Sequence, residues 1–338
     1  KVLWEYEKFI LLIFKHKEKR NESIKSLKFP FDEYRAGQRK LINISYQTIK
    51  EKEILFTQAP TGIGKTISTI FPAVKAIGEG IGERIVYLTA KTINRQVAED
   101  TFEKLKQEGL CFKNITITAK EKICINETFD CNPEKCIYAK DYYAKVKEAI
   151  LCIMENEETI SSEILQKYAE TYKICPFEFS LDVSLYCDGI IGDYNYIFDP
   201  RASLGRLLES IGNIVLIDEA HNLVDRARGM YSATLSKNQI LSCKKIAKGR
   251  LNKIHTILGK INNYFVELRN ECEHKEVKWF YEKESPKDLN KQLQLYLKES
   301  EEILVRGNRF EGYEDILQLC FDINALVSTM QLYDENYV

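Results

Sequence analysis

The sequence predicts an α/β fold, a parallel sheet flanked by helices, on three observations. Short β-branched runs alternate with longer helical stretches, a glycine-rich turn stands where an apolar run hands over to a helix, and two adjacent carboxylates close another apolar run. Strands that return through a helix re-enter the sheet in the same direction, so the alternation implies parallel βαβ units.

Residues 1–28 read as an amino-terminal helix, whose stretch Lys15-His16-Lys17-Glu18-Lys19-Arg20 fits a solvated face better than a nucleic-acid clamp. Gly37 to Lys52 is expected to be helical, Ile54-Leu55-Phe56-Thr57 a strand, and Lys65 to about Ile77 a helix. Strands are expected at Ile85 to Thr89, Ile115 to Thr118 and Ile214 to Ile217, with a helix from Asn94 to Gln107. The rhythm breaks between Cys111 and Cys187, which hold seven of the ten cysteines and the helical segments Ala139 to Met154 and Ser161 to Tyr172. An insertion between two sheet strands is implied. From Tyr231 onward the chain reads as helix, with Ile240, Ile254, Leu258, Ile261 and Phe265 at helical spacing and a charged break from His274 to Asn290.

The 338 residues allow about two domains, and 44% apolar with 29% charged residues is a globular composition. Forty-nine basic against fifty acidic residues leave a net charge of -1, so any nucleic-acid contact must use local patches. The longest apolar run, Phe9 to Phe14, is far shorter than the roughly 18 residues of a membrane span, and the amino terminus has no signal-peptide pattern. A cytoplasmic protein is expected. Ten cysteines diluted in a long chain without an export signal favour metal or redox chemistry over a disulfide framework.

Ala59-Pro60-Thr61-Gly62-Ile63-Gly64-Lys65-Thr66 has the composition of a phosphate-binding loop. Its glycines let the backbone approach a phosphate, amide N–H groups at the helix start face the anion, Lys65 reaches the terminal oxygens, and Thr66 can hold Mg²⁺. The strict pattern has Gly where this chain has Ala59, a change that leaves the loop mechanics intact. Asp218-Glu219-Ala220-His221 follows the run Ile214 to Ile217, at the strand end where parallel sheets gather their ligands. Asp218 is expected to hold Mg²⁺, Glu219 to orient and deprotonate a water, and His221 to couple the site to nucleic acid.

Cys124, Cys131, Cys136 and Cys175 are separated by six, four and thirty-eight residues. Four such thiolates suit an iron-sulfur cluster, because soft sulfur ligands suit iron. A closed zinc site and four unconnected buried thiols are the alternatives, and the zinc reading lacks the usual C-x₂-C knuckle. Cys111, Cys152 and Cys187 compete for the ligand roles, the last two reading as core thiols.

The order phosphate loop, Leu88-Thr89-Ala90-Lys91-Thr92, Asp193-Tyr194-Asn195-Tyr196-Ile197-Phe198-Asp199-Pro200 and Asp-Glu-Ala-His box resembles the first motor domain of the superfamily 2 DNA helicases of the XPD/DinG group, over roughly residues 29–231. The resemblance implies a RecA-like motor domain in residues 29–110 and 188–230, a four-iron, four-sulfur insertion in 111–187 and an Arch-type helical domain in 231–338. Cys124, Cys131, Cys136 and Cys175 would then hold the cluster, with the Cys-Pro-Phe-Glu tail at Cys175 marking the last ligand. It makes Gln38 the reader of adenine, with Arg35 or Tyr34 packed beside it, in the segment Phe29 to Gln38. It gives Thr89, Lys91, Thr92 and Gln96 phosphate contacts with single-stranded DNA, and Tyr194, Asn195 and Tyr196 stacking or polar contacts. That the last three simply cap a strand remains open. The implied activity is ATP-dependent, 5′ to 3′ translocation on single-stranded DNA in repair.

The arginines that such enzymes take from a second motor domain have no counterpart before Val338, so the chain is expected to be an amino-terminal fragment of low activity. A nucleotide switch that does not unwind, or a zinc-stabilised nucleic-acid-binding module, would share parts of the pattern.

Overall fold

A computed structural model of the chain describes residues 2–90, 92–127, 131–200, 205, 212–306 and 310–337. The first of its two units, residues 1–224, contains the sheet. In chain order its elements are α1 (Val2–Ser26), α2 (Gln38–Glu51), α3 (Lys65–Gly78), β1 (Arg84–Leu88), α4 (Thr92–Gln107), β2 (Asn114–Thr116), α5 (Lys120–Ile123), α6 (Tyr142–Asn156), β3 (Thr159–Ile160), α7 (Ser162–Tyr172), α8 (Pro176–Ser184), β4 (Gly189–Gly192), α9 (Asn195–Phe198) and β5 (Asn213–Ile217). The strands run in the order β3-β2-β4-β1-β5, and each of the four pairings is parallel.

The pairing β1 to β5 aligns Leu88 with Ile217, which brings the residues after both strands to one edge. Helices α3 and α4 cover the sheet through Ile70, Ala73, Ile77, Ala98, Phe102 and Leu105, packed on Ile85 and Tyr87. A second core, with Ile115, Ile123, Val146, Ile153, Leu165, Phe179 and Ile190, joins β2 and β4 to the cysteine-rich helices.

Strand β4 was not legible beforehand. Its sequence Gly-Ile-Ile-Gly is too short to show a period, yet it lies in mid-sheet with all four residues buried. Gly189 is required there, because a Cβ would stand 2.9 Å from the Phe112 ring and 3.3 Å from that of Phe102.

Two expectations need correction. Residues 54–57 form no strand: no described strand pairs with them, and Ile54 and Phe56 are 85% and 89% exposed. An extended apolar segment becomes a strand only when a neighbour accepts its hydrogen bonds. The basic stretch of α1 is solvated only in part. His16 and Arg20 are buried, where Nε2 of His16 lies 2.6 Å from Asp188 and the Arg20 guanidinium donates to the same carboxylate at 2.7 Å. Their spacing of four residues puts both on the inward face of the helix.

The second unit, residues 225–338, is helical. Helices Lys237–Ala247, Asn252–His274, Lys287–Arg306 and Tyr313–Gln331 pack in succession around Ile240, Leu258, Ile261, Leu293, Tyr296, Leu319 and Ile323. The Tyr296 hydroxyl donates to the Ile316 carbonyl at 3.2 Å within this core.

Candidate nucleotide site and cysteine cavity

The loop 59–66 opens directly into α3, with Gly64 at φ 80° as the residue before the helix. That left-handed backbone favours glycine, and a Cβ on Gly64 would lie 2.7 Å from Nε2 of Gln38, so the Gln38 amide would have to move. Gln38 is thus buried against the loop at the start of α2, and its Oε1 accepts from the Arg35 amide at 3.0 Å. The Arg35 side chain donates to the carbonyl of Gly62. Tyr34 stacks on Phe29 with centroids 4.5 Å apart, and the Arg39 guanidinium lies 5.3 Å from the Tyr34 centroid. The residues read as an adenine-recognising segment therefore adjoin the phosphate loop.

The acidic box meets that loop from the other side. Nζ of Lys65 is 3.6 Å from Oε1 of Glu219, and it donates to the Ala59 carbonyl at 3.4 Å. His221, exposed at the start of the next helix, places Nδ1 3.4 Å from Oε2 of Glu219. Asp218 accepts from the Asn94 amide at 2.9 Å. Burial, with the Asp218 charge adding to it, pushes the Tyr87 hydroxyl pKa well up. Thr66 at the start of α3 and Asp218 just after β5 offer the hard oxygen donors that suit Mg²⁺.

Neither Asn94 nor Tyr87 was singled out from sequence. Tyr87 looked like one more apolar residue of a buried strand, and Asn94 like the first turn of a helix.

Among the residues read as DNA contacts, two are inaccessible. Thr89 and Tyr194 are both 0% exposed, so neither offers a surface to a base or phosphate. The Tyr194 hydroxyl instead donates to the carbonyls of Asp218 and Glu219, the latter at 3.1 Å. Asn195 and Tyr196 are half-buried, and burial raises the Tyr196 hydroxyl to about 12. Gln96 is exposed and bonds to Asp100 at 2.9 Å. Lys91 and the side chain of Thr92 lie outside the described residues.

Cys124, Cys131, Cys136 and Cys175 all line one cavity of about 170 Å³, together with Lys120, Asn126, Tyr142 and Phe177. Cys111, Cys152 and Cys187 do not. Cys175 stands just before α8, where burial raises its pKa while the N–H groups of Glu178 and Phe177 and the charge of Lys120 oppose that rise. The Asn126 amide donates to Cys136 Sγ at 3.2 Å, and Lys120 lines the same cavity. Among the described residues no three His, Cys, Asp or Glu side chains converge as one ion would require. Four soft sulfur donors lining one cavity are the donor set that an iron-sulfur cluster would need. Among the described residues no helix is long and apolar enough to cross a membrane.

The DEAD_2 family model matches residues 89–240. The chain is 24% identical over 261 residues to the regulator of telomere elongation helicase 1 homolog of Caenorhabditis briggsae, covering 64% of this chain and 26% of that protein. It is 37% identical over 102 residues to the ATP-dependent DNA helicase CHL1 of Kluyveromyces lactis, covering 30% and 12%. To the general transcription and DNA repair factor IIH helicase subunit XPD of Dictyostelium discoideum it is 31% identical over 118 residues, covering 34% and 14%. The chain thus spans about a quarter of the length of the first of these relatives and less of the other two. A solved truncated XPD superposes with a TM-score of 0.51 at 19% identity, covering 87% of this chain and 82% of that one. An XPD helicase does so with 0.50 at 18%, covering 89% and 51%. The chain thus carries a segment similar to the DEAD_2 family over residues 89–240 and shares its fold with the solved XPD structures.

Proposed function

We propose that this chain is the amino-terminal motor portion of an ATP-dependent DNA helicase that moves 5′ to 3′ along single-stranded DNA in repair. The observation that carries the reading is the approach of Lys65 to Glu219 across the mouth of the phosphate loop. A general base and a phosphate-binding cation this close can serve one terminal phosphoryl group.

In this reading Gln38 hydrogen-bonds the adenine edge, and Tyr34 and Arg35 hold the segment that presents it. The amides of residues 61–66 and Nζ of Lys65 bind the β and γ oxygens. Glu219 orients the attacking water and takes its proton, while His221 relays the state of the nucleic acid. Mg²⁺ bound by Thr66 and Asp218 supplies charge neutralisation at the phosphates. The exposed Gln96, with Lys91, Thr92, Asn195 and Tyr196, contacts DNA without regard to sequence.

Cys124, Cys131, Cys136 and Cys175 hold a four-iron, four-sulfur cluster that ties the loop before α6 to the start of α8. Residues 29–110 and 188–230 form the motor domain, 111–187 the cluster insertion and 231–338 an Arch-like domain. The shared cavity of the four thiols supports this ligand set.

The test is phosphate release by the full-length protein with and without single-stranded DNA, alongside iron and sulfide analysis of anaerobically purified material. DNA-stimulated turnover with about four irons per chain is expected. Turnover indifferent to DNA indicates a nucleotide switch, and stoichiometric zinc indicates a metal-stabilised binding module; either result overturns the proposal.

A further inference from the structure

Tyr194 sits in the segment read as touching DNA, yet it is wholly buried. It donates to two consecutive carbonyls, those of Asp218 and Glu219. Glu219 is one of the few non-glycine residues with positive φ, at 51°, a left-handed backbone that costs free energy unless its surroundings hold it. The Glu219 carbonyl is held a second time by Asn222, whose backbone and side-chain amides donate at 2.9 and 3.1 Å. On the other side of the segment, Arg95 lies 3.3 Å from Asp193, while its neighbour Asn94 donates to Asp218 at 2.9 Å. Two adjacent residues at the start of α4 and one buried phenol therefore bind the 193–195 segment to the acidic box.

Within the proposed ATPase reading, on which this rests, we infer that Tyr194 is a positioning residue that keeps the Glu219 backbone in its left-handed conformation and so aims the Glu219 carboxylate at the water. Asn94 does the same for the Asp218 side chain. A displacement of residues 193–196 by a bound strand is passed through the Tyr194 hydroxyl to Glu219, which gives DNA a direct route to the rate of hydrolysis. Tyr194 itself touches neither ATP nor DNA.

Tyr194→Phe removes the two hydrogen bonds and keeps the ring. In full-length protein, kcat of DNA-stimulated ATP hydrolysis is expected to fall on the order of ten-fold. KM for ATP and the affinity for single-stranded DNA are expected to stay within about two-fold of wild type, because the ring packing and the phosphate contacts are untouched. Hydrogen exchange of the amides of 218–222 is expected to quicken while that of β1 does not. Asn94→Ser serves as the second variant, with the same separation of kcat from KM expected.

Unchanged exchange at 218–222 overturns the inference, as does quickened exchange with unaltered kcat. A rate loss that saturating DNA restores overturns it too, since Tyr194 would then be a DNA contact. Wild-type protein without DNA-stimulated turnover sinks the helicase reading and with it the link to rate, while the exchange comparison still decides whether Tyr194 holds the box.

Discussion

Nζ of Lys65 stands 3.6 Å from Oε1 of Glu219, although one begins α3 and the other follows β5. Each side chain is about one-third exposed, so their attraction is screened and adds little to stability. Its significance is positional: in the proposed reading, the cation that would grip a phosphate and the base that would activate water share one spot. Lys65→Ala is expected to weaken nucleotide binding by two orders of magnitude or more, whereas Glu219→Gln is expected to retain binding and lose roughly 10²-fold or more in turnover. Titration with a fluorescent ATP analogue and phosphate release by the full-length protein separate the two.

Replacing Cys124, Cys136 or Cys175 singly by serine is expected to lower iron and sulfide content and bleach the visible absorption of anaerobically purified protein. Cys152→Ser and Cys187→Ser are expected to leave both unchanged, since neither thiol reaches the cavity that the four share. Equal iron loss across all five variants would count against the ligand set.

Asp188 is buried beneath α1. Burial alone would raise its pKa, but the His16 ring, the Arg20 guanidinium and the Lys113 amide hold it below the usual carboxylate range. A depressed native pKa means stability present above the ordinary carboxylate range and lost as pH falls through the native value. Asp188→Asn is expected to cost about 3–5 kcal/mol at neutral pH, because Arg20 is left buried and uncompensated. Urea midpoints at pH 7 and in the acid limb measure both effects.

Lys106 is shifted in the same direction by a different cause. Burial pushes it down to about 8 against the pull of Glu103 and Glu158. It donates to Asn114 at 2.7 Å and to Thr159, tying α4 to β2 and β3. Between about pH 8 and 10.5 the unfolded chain binds a proton that the native chain does not, so stability rises with pH across that window. Lys106→Met is expected to flatten this rise relative to wild type, as read from urea unfolding in steps of pH.

The parts of the fold that repeat a period were legible beforehand. Strands β1, β2 and β5 and helix α4 lie close to where β-branched runs and apolar spacing put them. Strand β4 carries too few residues to show a pattern, and residues 54–57 have a strand's composition without a partner. Burial depends on partners distant in the chain, and no local signal reports it. His16 and Arg20 therefore looked solvated until Asp188 appeared beneath them, and Tyr194 looked like a stacking platform until the Asp218 and Glu219 carbonyls appeared over its hydroxyl. The phosphate loop and the box were readable because their chemistry demands fixed residue types at fixed spacing. Asn94, which donates to Asp218, answers only to geometry.

Strand β5 closes the sheet on one side, and among the described residues nothing pairs with its outer rim. Val215 and Ile217 are 43% and 37% exposed, and the equally greasy Ile54 and Phe56 are barer still. Unsatisfied backbone groups next to such side chains are a template for self-association. Purified by itself at high concentration, the polypeptide will stack rim to rim into soluble multimers or precipitate, and a charged substitution such as Val215→Lys should keep it monodisperse.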